Sequence, residues 1–163
     1  EQKKETAIGL LSCIQSKIQY FSMQMAPAKL IEDGLYAALS ELCAYLQEAV
    51  KVDIYLKSAD YNRQNKLIEI AMYRIAEEVI QNAIQHGKPN RIDVQLGSSG
   101  GSVFLEISDN GFPFNLANAL QNEKLILNGV GLRAIEGRMQ NGFELQYDHC
   151  NGMNQNTFVY KDY

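Results

Sequence analysis

The chain contains few of the residues that build zinc sites and disulfide frameworks. Its 163 residues include two histidines, His86 and His149, and three cysteines, Cys13, Cys43 and Cys150. The cysteines are widely spaced with no C-x-x-C pair, which argues against a zinc site and indicates a reducing compartment. We therefore interpret the cysteines as small apolar packing residues.

Basic residues and long apolar runs are also scarce. The formal net charge of −4 excludes a general nucleic-acid binder, whose phosphate contacts require clustered Lys and Arg. No apolar run approaches the roughly 20 residues that span a bilayer. Hydrophobic residues make up 46% of the chain, enough for a globular core.

The sequence opens with EQKKE, without an initiator methionine or a signal peptide. We expect it to be a piece of a longer protein in the cytoplasm, with the cytoplasmic part of a membrane-anchored sensor as one possibility. Any membrane contact would then come only from segments outside this sequence.

A heptad-like seam near the N-terminus predicts a helix from about Lys3 to Met25, which Pro27 ends. Packing onto its own domain and dimerisation explain this helix equally well. We expect residues 1–26 to form an appendage and residues 27–163 to form the main domain. The seam consists of Ala7, Leu11, Ile14, Ile18, Phe21 and Met25.

Hydrophobic periodicity and turn residues predict alternating helices and hairpins in the main domain. We expect an α+β fold, a two-layer sandwich of a mixed, mostly antiparallel sheet covered on one face by helices. The predicted elements are a helix from about Glu32 to Val50, a strand at 52–57, a helix from about Lys66 to His86, strands at 91–97 and 102–109, an irregular stretch at 112–128 with one helical turn at 116–120, a helix from Gly129 to about Asn141, and strands at 143–148 and 156–162.

A polar stripe runs along the predicted central helix, where Glu78, Asn82 and His86 recur every four residues. The neighbouring stripe of Ile75 and Val79 is apolar and requires a core. Taken alone, the polar stripe is most simply a solvated helix face. It could also line a cleft that holds a metal-bound polyphosphate.

Two further features favour the cleft over the solvated helix face. Asp109-x-Gly111 ends a predicted strand, where the carboxylate can accept a hydrogen bond from an amino group and the glycine lets a flat ring approach. Gly129-x-Gly131 opens a predicted helix, whose N-terminus favours phosphate. Each feature alone is weak, but their order and spacing together are specific.

In this arrangement the chain resembles the ATP-binding domain shared by sensor histidine kinases, gyrase and MutL. The resemblance covers about Leu30 to Tyr163 and implies the Bergerat-type ATP-binding fold. EEVIQNAIQHG (77–87) resembles the family's N box, ISDNGFPF (107–114) its G1 box, and NGVGLRAIEGRM (128–139) its G2 box. The bacterial histidine kinases with a short lid match best, because their domains also open with a segment like PAKLIEDGLYAALSEL (27–42).

The resemblance implies catalytic roles for the polar stripe. Asn82 would coordinate Mg²⁺, Glu78 would polarise or deprotonate the attacking group, and His86 would lie near the phosphates. Asp109 would accept from the adenine amino group, with Gly111 beside the ring. The other residues implied in nucleotide binding are Gly129, Gly131, Leu132, Arg133 and Thr157.

The sequence departs from the family pattern at several places. Pro113 replaces the usual second glycine of the G1 box, and Gln85 replaces a common Lys or Arg, for which Arg133 could compensate. Gln155-Asn156-Thr157 stands where Gly-x-Gly-Thr is usual. No histidine precedes His86, so the phosphate-accepting histidine would lie outside this sequence.

The resemblance implies a kinase domain that binds Mg-ATP and donates the γ-phosphate to that histidine in a two-component system. The full protein would form a homodimer through a helical hairpin, of which residues 1–26 would be a remnant, and pass the phosphate to a response regulator. Pro113 also fits an anti-sigma-factor-type serine kinase, and Gln85 with Pro113 leaves room for a degenerate, non-catalytic scaffold. The resemblance disfavours an ATPase of the gyrase or MutL type, because such an ATPase carries a second domain with a catalytic lysine and these 163 residues are too few to include one.

Overall fold

A five-stranded mixed sheet forms one layer of the domain in the computed structural model, which describes residues 27–122, 130–139 and 142–161. The strands lie in the order β1-β2-β3-β5-β4, with β1 parallel to β2 and all other neighbours antiparallel. Their bounds are Asp53–Ala59 for β1, Arg91–Ser99 for β2, Ser102–Asp109 for β3, Phe143–Cys150 for β4 and Met153–Lys161 for β5. The predicted α+β sandwich is therefore confirmed.

The helices cover one face of this sheet. Alternate residues of β3, including Leu105 and Ile107, are fully buried beneath the helices, while the residues between them are half-buried on the open face. The helices are α1 (Ala28–Asp33), α2 (Leu35–Val50), α3 (Lys66–Asn82), α4 (Leu116–Ala119) and α5 (Val130–Met139). None of the helices in these three described stretches has the length and apolar character needed to cross a membrane.

Two helices replace the single helix expected from about Glu32 to Val50. Gly34 separates α1 from α2 with a φ of 91°, a backbone conformation that favours glycine. Beyond this break α2 buries Leu35 and Leu39 as the pattern predicts, but Ala49 is exposed. The predicted N-terminal helix and its seam lie outside the described residues, so the proposed appendage at 1–26 stays a prediction.

Helix α3 is the long central helix, and its ends determine where the polar stripe lies. The side chain of Asn65 caps its start by accepting from the Leu67 amide at 2.9 Å. At its other end the helix widens into a π turn, Ala83–Gly87, and stops where Lys88 adopts a φ of 49°. The π turn places the carbonyl of Gly87 beside the end of β3.

The closing hairpin differs from the prediction at its turn. Only Asn151 and Gly152, with φ values of 53° and 76°, separate β4 from β5. Positive φ at both positions matches the tight asparagine-glycine turn that joins antiparallel strands. Strand β5 therefore begins at Met153 rather than at 156, which moves Asn154 into the sheet.

Candidate functional site

The end of β3 crosses the end of α3 at very close range. The Phe112 amide donates to the Gly87 carbonyl at 2.8 Å. A Cβ at Gly111 would lie 2.5 Å from that carbonyl oxygen and 2.9 Å from Asp109 Oδ1, closer than side chains tolerate. Glycine at position 111 is therefore required by the backbone packing that joins the helix to the sheet.

Asp109 is the last residue of β3 and is only 6% exposed. Its Oδ1 accepts from the Gly111 amide at 2.8 Å and from Asn154 Nδ2 at 3.0 Å. No hydrogen bond among the described residues uses Oδ2. The carboxylate is thus held by one oxygen, while the second oxygen remains available as an acceptor.

Asn154 on β5 fixes the surroundings of Asp109. Its Nδ2 also lies 3.3 Å from the carbonyl oxygens of Gly111 and Phe112. Because a carboxylate and two carbonyls only accept, the amide nitrogen must face them. The amide oxygen then accepts from Tyr147 Oη at 3.2 Å and from His149 Nδ1 at 3.0 Å, which places the proton of a neutral His149 on Nδ1.

Tyr147 is electrostatically coupled to the same site. Burial, followed by the charges of Asp109 and Asp148, raises the pKa of its phenol. Tyr147 therefore stays protonated and keeps its hydrogen to donate to Asn154. Sequence reasoning missed Asn154, Tyr147 and His149, although the Asn151-Gly152 turn signal could have located them.

A narrow cleft opens between α3, the end of β3 and the segment that follows it. Its cavity volume is about 30 Å³, so the cleft must widen to admit a purine ring. Phe112 and Phe114 are 69% and 44% exposed there. The lining residues are Val79, Asn82, Ala83, His86, Gly87, Asp109, Phe112, Phe114, Leu116 and Asn156.

The polar stripe of α3 leads from this cleft towards α5. Asn82 and the exposed His86 line the cleft, and Glu78 lies one turn nearer the start of the helix. Asn82 Nδ2 is 3.4 Å from Glu78 Oε1, so the amide oxygen of Asn82 is directed away from that carboxylate. The structure thus brings Asn82, His86 and Asp109 together around one cleft and places Glu78 beside it.

Burial is the largest cause that raises the pKa of Glu78, and the nearby charge of Glu77 raises it further. The charge of Arg138 and the contact with Asn82 act in the opposite direction. A carboxylate with a raised pKa is a better proton acceptor once ionised, which suits a general base. Arg138 lies on α5, so the position of α5 affects how readily Glu78 ionises.

Gly131 packs directly against Glu78. A Cβ at this position would overlap the Glu78 carboxyl, so no larger residue fits without moving the helix or the side chain. The close approach brings the start of α5 to the polar stripe. Gly129, the other glycine of this motif, lies outside the described residues.

Three residues expected at the nucleotide are not part of this cleft. Leu132 is half-buried against the core, and Arg133 is exposed on α5. Thr157 lies on the open face of the sheet, where its hydroxyl is 3.5 Å from Glu106 Oε2. Successive strand residues point to opposite faces, so Asn154 and Asn156 face the helices instead.

The oxygen ligands here suit a hard cation held jointly with phosphates. Asn82 offers an amide oxygen and Glu78 a carboxylate, the ligand types that Mg²⁺ prefers. The part of the chain that the structure describes contains no group of three His, Cys, Asp or Glu side chains that could hold a metal alone. Mg²⁺ commonly binds through one or two side chains plus substrate phosphates, so the residues fit that ion.

In this structure helices cover one face of a mixed sheet, and a buried strand-end aspartate meets a helix asparagine at one cleft. These features define the Bergerat type of ATP-binding fold. A family model described as the histidine kinase-like ATPase domain matches residues 34–157. The chain belongs to this family.

Two proteins that are similar to this chain are much longer than it is. The chain is 28% identical over 124 residues to the sensor histidine kinase MctS of Rhizobium johnstonii, covering 76% of this chain and 26% of that protein. It is 29% identical over 121 residues to the sensor histidine kinase ComP of Bacillus subtilis, covering 72% of this chain and 16% of that protein. The chain therefore spans about a quarter of the length of one relative and about a sixth of the other.

Solved structures share the fold at low identity. The histidine kinase domain of the Erythrobacter litoralis EL346 blue-light activated histidine kinase aligns with a TM-score of 0.61 at 18% identity, covering 77% of this chain and 60% of that one. The catalytic domain of the histidine kinase ThkA aligns with a TM-score of 0.61 at 14% identity, covering 78% of this chain and 90% of that one.

Proposed function

We propose that the chain is the catalytic domain of a sensor histidine kinase, which binds Mg-ATP and donates the γ-phosphate to a histidine outside this sequence. The observation that supports this function most strongly is the hydrogen bonding of the Asp109 carboxylate. The protein holds one oxygen of a buried carboxylate with two donors and leaves the other oxygen for a ligand. Such an acceptor matches the exocyclic amino group of adenine.

The phosphates would extend from the base along the polar stripe of α3. Asn82 would supply an oxygen to Mg²⁺, and the exposed His86 would lie beside the phosphates. Glu78 would hold or accept a proton from the attacking histidine, consistent with the raised pKa of its carboxyl. Positioning and charge neutralisation would supply most of the rate enhancement.

The close packing of Gly131 against Glu78 supports a role for the start of α5 beside the phosphates. Gly129 would act as the hinge of that motif, and Leu132 and Arg133 would contact the nucleotide only after a rearrangement of α5. In the full protein the domain would form a homodimer through a helical hairpin to which residues 1–26 belong. It would act in the cytoplasm with a response regulator as the next phosphate acceptor.

The narrowness of the cleft favours one competing function. If Phe112 and Phe114 cannot move aside, the domain would be a non-catalytic scaffold that kept the fold. A calorimetric titration with ATP, with and without Mg²⁺, separates these functions. We expect saturable binding that tightens with Mg²⁺.

The matched variants for this titration are Asp109→Asn and Asp53→Asn. In Asp109→Asn the new amide oxygen can keep the bonds from Gly111 and Asn154, which leaves an NH₂ group facing the adenine amino group. We expect ATP to bind roughly 10- to 100-fold more weakly, because a hydrogen bond to a charged group is lost. Asp53 is exposed on edge strand β1, so Asp53→Asn should bind like the wild type. A folded wild-type sample that binds no ATP at millimolar concentration would refute the proposed function.

A further inference from the structure

Asn156 is a buried polar residue whose amide oxygen has no hydrogen-bond partner among the described residues. The side chain is 5% exposed on β5 and lines the same cleft as Asp109. Buried polar groups are almost always paired, because an unpaired one costs about as much as a lost hydrogen bond. An apolar side chain of similar size would avoid that cost, so the amide calls for a partner that enters the cleft.

The other asparagine on this face of β5 shows the contrast. Asn154 uses its amide oxygen for two donors and its amide nitrogen for Asp109 and two carbonyls. Asn154 is therefore fully engaged in holding Asp109. Asn156, two residues later and on the same face, has an amide oxygen without a hydrogen-bond partner among the described residues.

The chemistry of an amide matches the edge of adenine. The amino group of adenine donates, and the ring nitrogen beside it accepts, so a single amide can pair with both atoms. Asp109 can accept only one of the two amino hydrogens with its free oxygen. The second hydrogen requires another acceptor in the cleft.

We propose that Asn156 is a specificity-determining residue that contacts the adenine base directly, pairing its amide with the exocyclic amino group and the adjacent ring nitrogen. This inference rests on the proposed ATP-binding function and adds a second base-reading residue to Asp109. It explains why the chain keeps a polar side chain at a buried position that faces the cleft.

The test compares ATP with purine riboside 5′-triphosphate, which lacks only the amino group, in wild type and in Asn156→Leu. We expect Asn156→Leu to weaken ATP binding about tenfold and to weaken the analogue about threefold or less, so that discrimination between the two ligands falls. The thermal midpoint of the variant should be unchanged or higher, because leucine removes an unpaired buried amide. Binding and stability should thus change in opposite directions.

The matched control is Gln155→Leu, the same amide-to-leucine change one residue away on the open face of the sheet. This variant should bind both ligands within about twofold of the wild type. If Asn156→Leu does not fold, Asn156→Ala is titrated instead, and the same loss of discrimination is expected.

Each other outcome overturns the inference. An Asn156 variant that binds ATP like the wild type would mean that a water molecule satisfies the amide. Equal weakening of both ligands would mean that Asn156 only shapes the cleft. If wild type and variant prefer ATP over the analogue by the same factor, the proposed function stands and the role of Asn156 is refuted. A wild type that binds no ATP would refute both proposals together.

Discussion

The hydrogen bond between Asn154 and Asp109 should be worth a measurable share of the domain's stability. Asn154 Nδ2 donates to the buried carboxylate at 3.0 Å, and a hydrogen bond to a charged group contributes about 1.5–3 kcal/mol. Tyr147 and His149, which donate to the other end of the amide, are only partly buried and can turn towards water. We therefore expect Asn154→Leu to lower the free energy of unfolding by about 2 kcal/mol.

A double-mutant cycle isolates this contact from the other effects of the substitution. In an Asp109→Leu background the carboxylate is absent, so Asn154→Leu should cost less than about 1 kcal/mol. Urea unfolding followed by circular dichroism supplies each free energy, since the chain contains no tryptophan to report on unfolding. Gln155→Leu on the open face should change stability by less than about 0.5 kcal/mol. If the loss of stability in the double mutant equals the sum of the two single losses within about 0.5 kcal/mol, the coupling between Asn154 and Asp109 is refuted.

Three further predictions test other contacts. Gly137→Ala, where a Cβ meets open space, should stabilise the fold by up to about 1 kcal/mol. Gly131→Ala must push the Glu78 carboxyl aside and should therefore gain less stability than Gly137→Ala or lose some. Equal effects in urea unfolding would contradict the close packing. Because burial raises the pKa of Glu78, the folded state binds its proton more tightly than the unfolded state, so stability is lost as pH rises above the ordinary value of 4.5. Glu78→Gln should therefore increase the free energy of unfolding at pH 7 and show no increase below pH 4.5, and an increase that persists at low pH would refute this cause. Burial raises the pKa of the Cys43 thiol to about 11. A thiol reagent at pH 7.5 should therefore label the exposed Cys150 and not Cys43 in the folded protein. Equal labelling of the two cysteines, measured by mass spectrometry, would contradict the burial of Cys43.

Local patterns in the sequence predicted the features that depend on local physics. The four-residue spacing of Glu78, Asn82 and His86 identified one helix face, and the structure places two of these side chains in the cleft. Gly111 was expected to let a ring approach and Gly131 to face phosphate, and these roles stay predictions. Each glycine lies where a Cβ would collide with a protein neighbour. Such signals are readable because helical periodicity and the lack of a Cβ act within a few residues.

The residues of β5 show where this reasoning fails. Thr157 was expected near the nucleotide but lies on the open face of the sheet, whereas its neighbour Asn156 lines the cleft. A shift of one residue along a strand moves a side chain to the opposite face. The Asn151-Gly152 dipeptide would have fixed the register, because it is the strongest short signal for a tight hairpin turn. The contact between Asp109 and Asn154 joins residues 45 positions apart, and no local pattern reports on it.

A crystal structure of this chain with Mg²⁺ and a non-hydrolysable ATP analogue would test the central claim most directly. The proposal predicts the adenine amino group within about 3.2 Å of Asp109 Oδ2, with Phe112 and Phe114 displaced from the cleft mouth and Mg²⁺ bound by Asn82. A nucleotide bound elsewhere, or a base whose amino group makes no contact with Asp109, would contradict it.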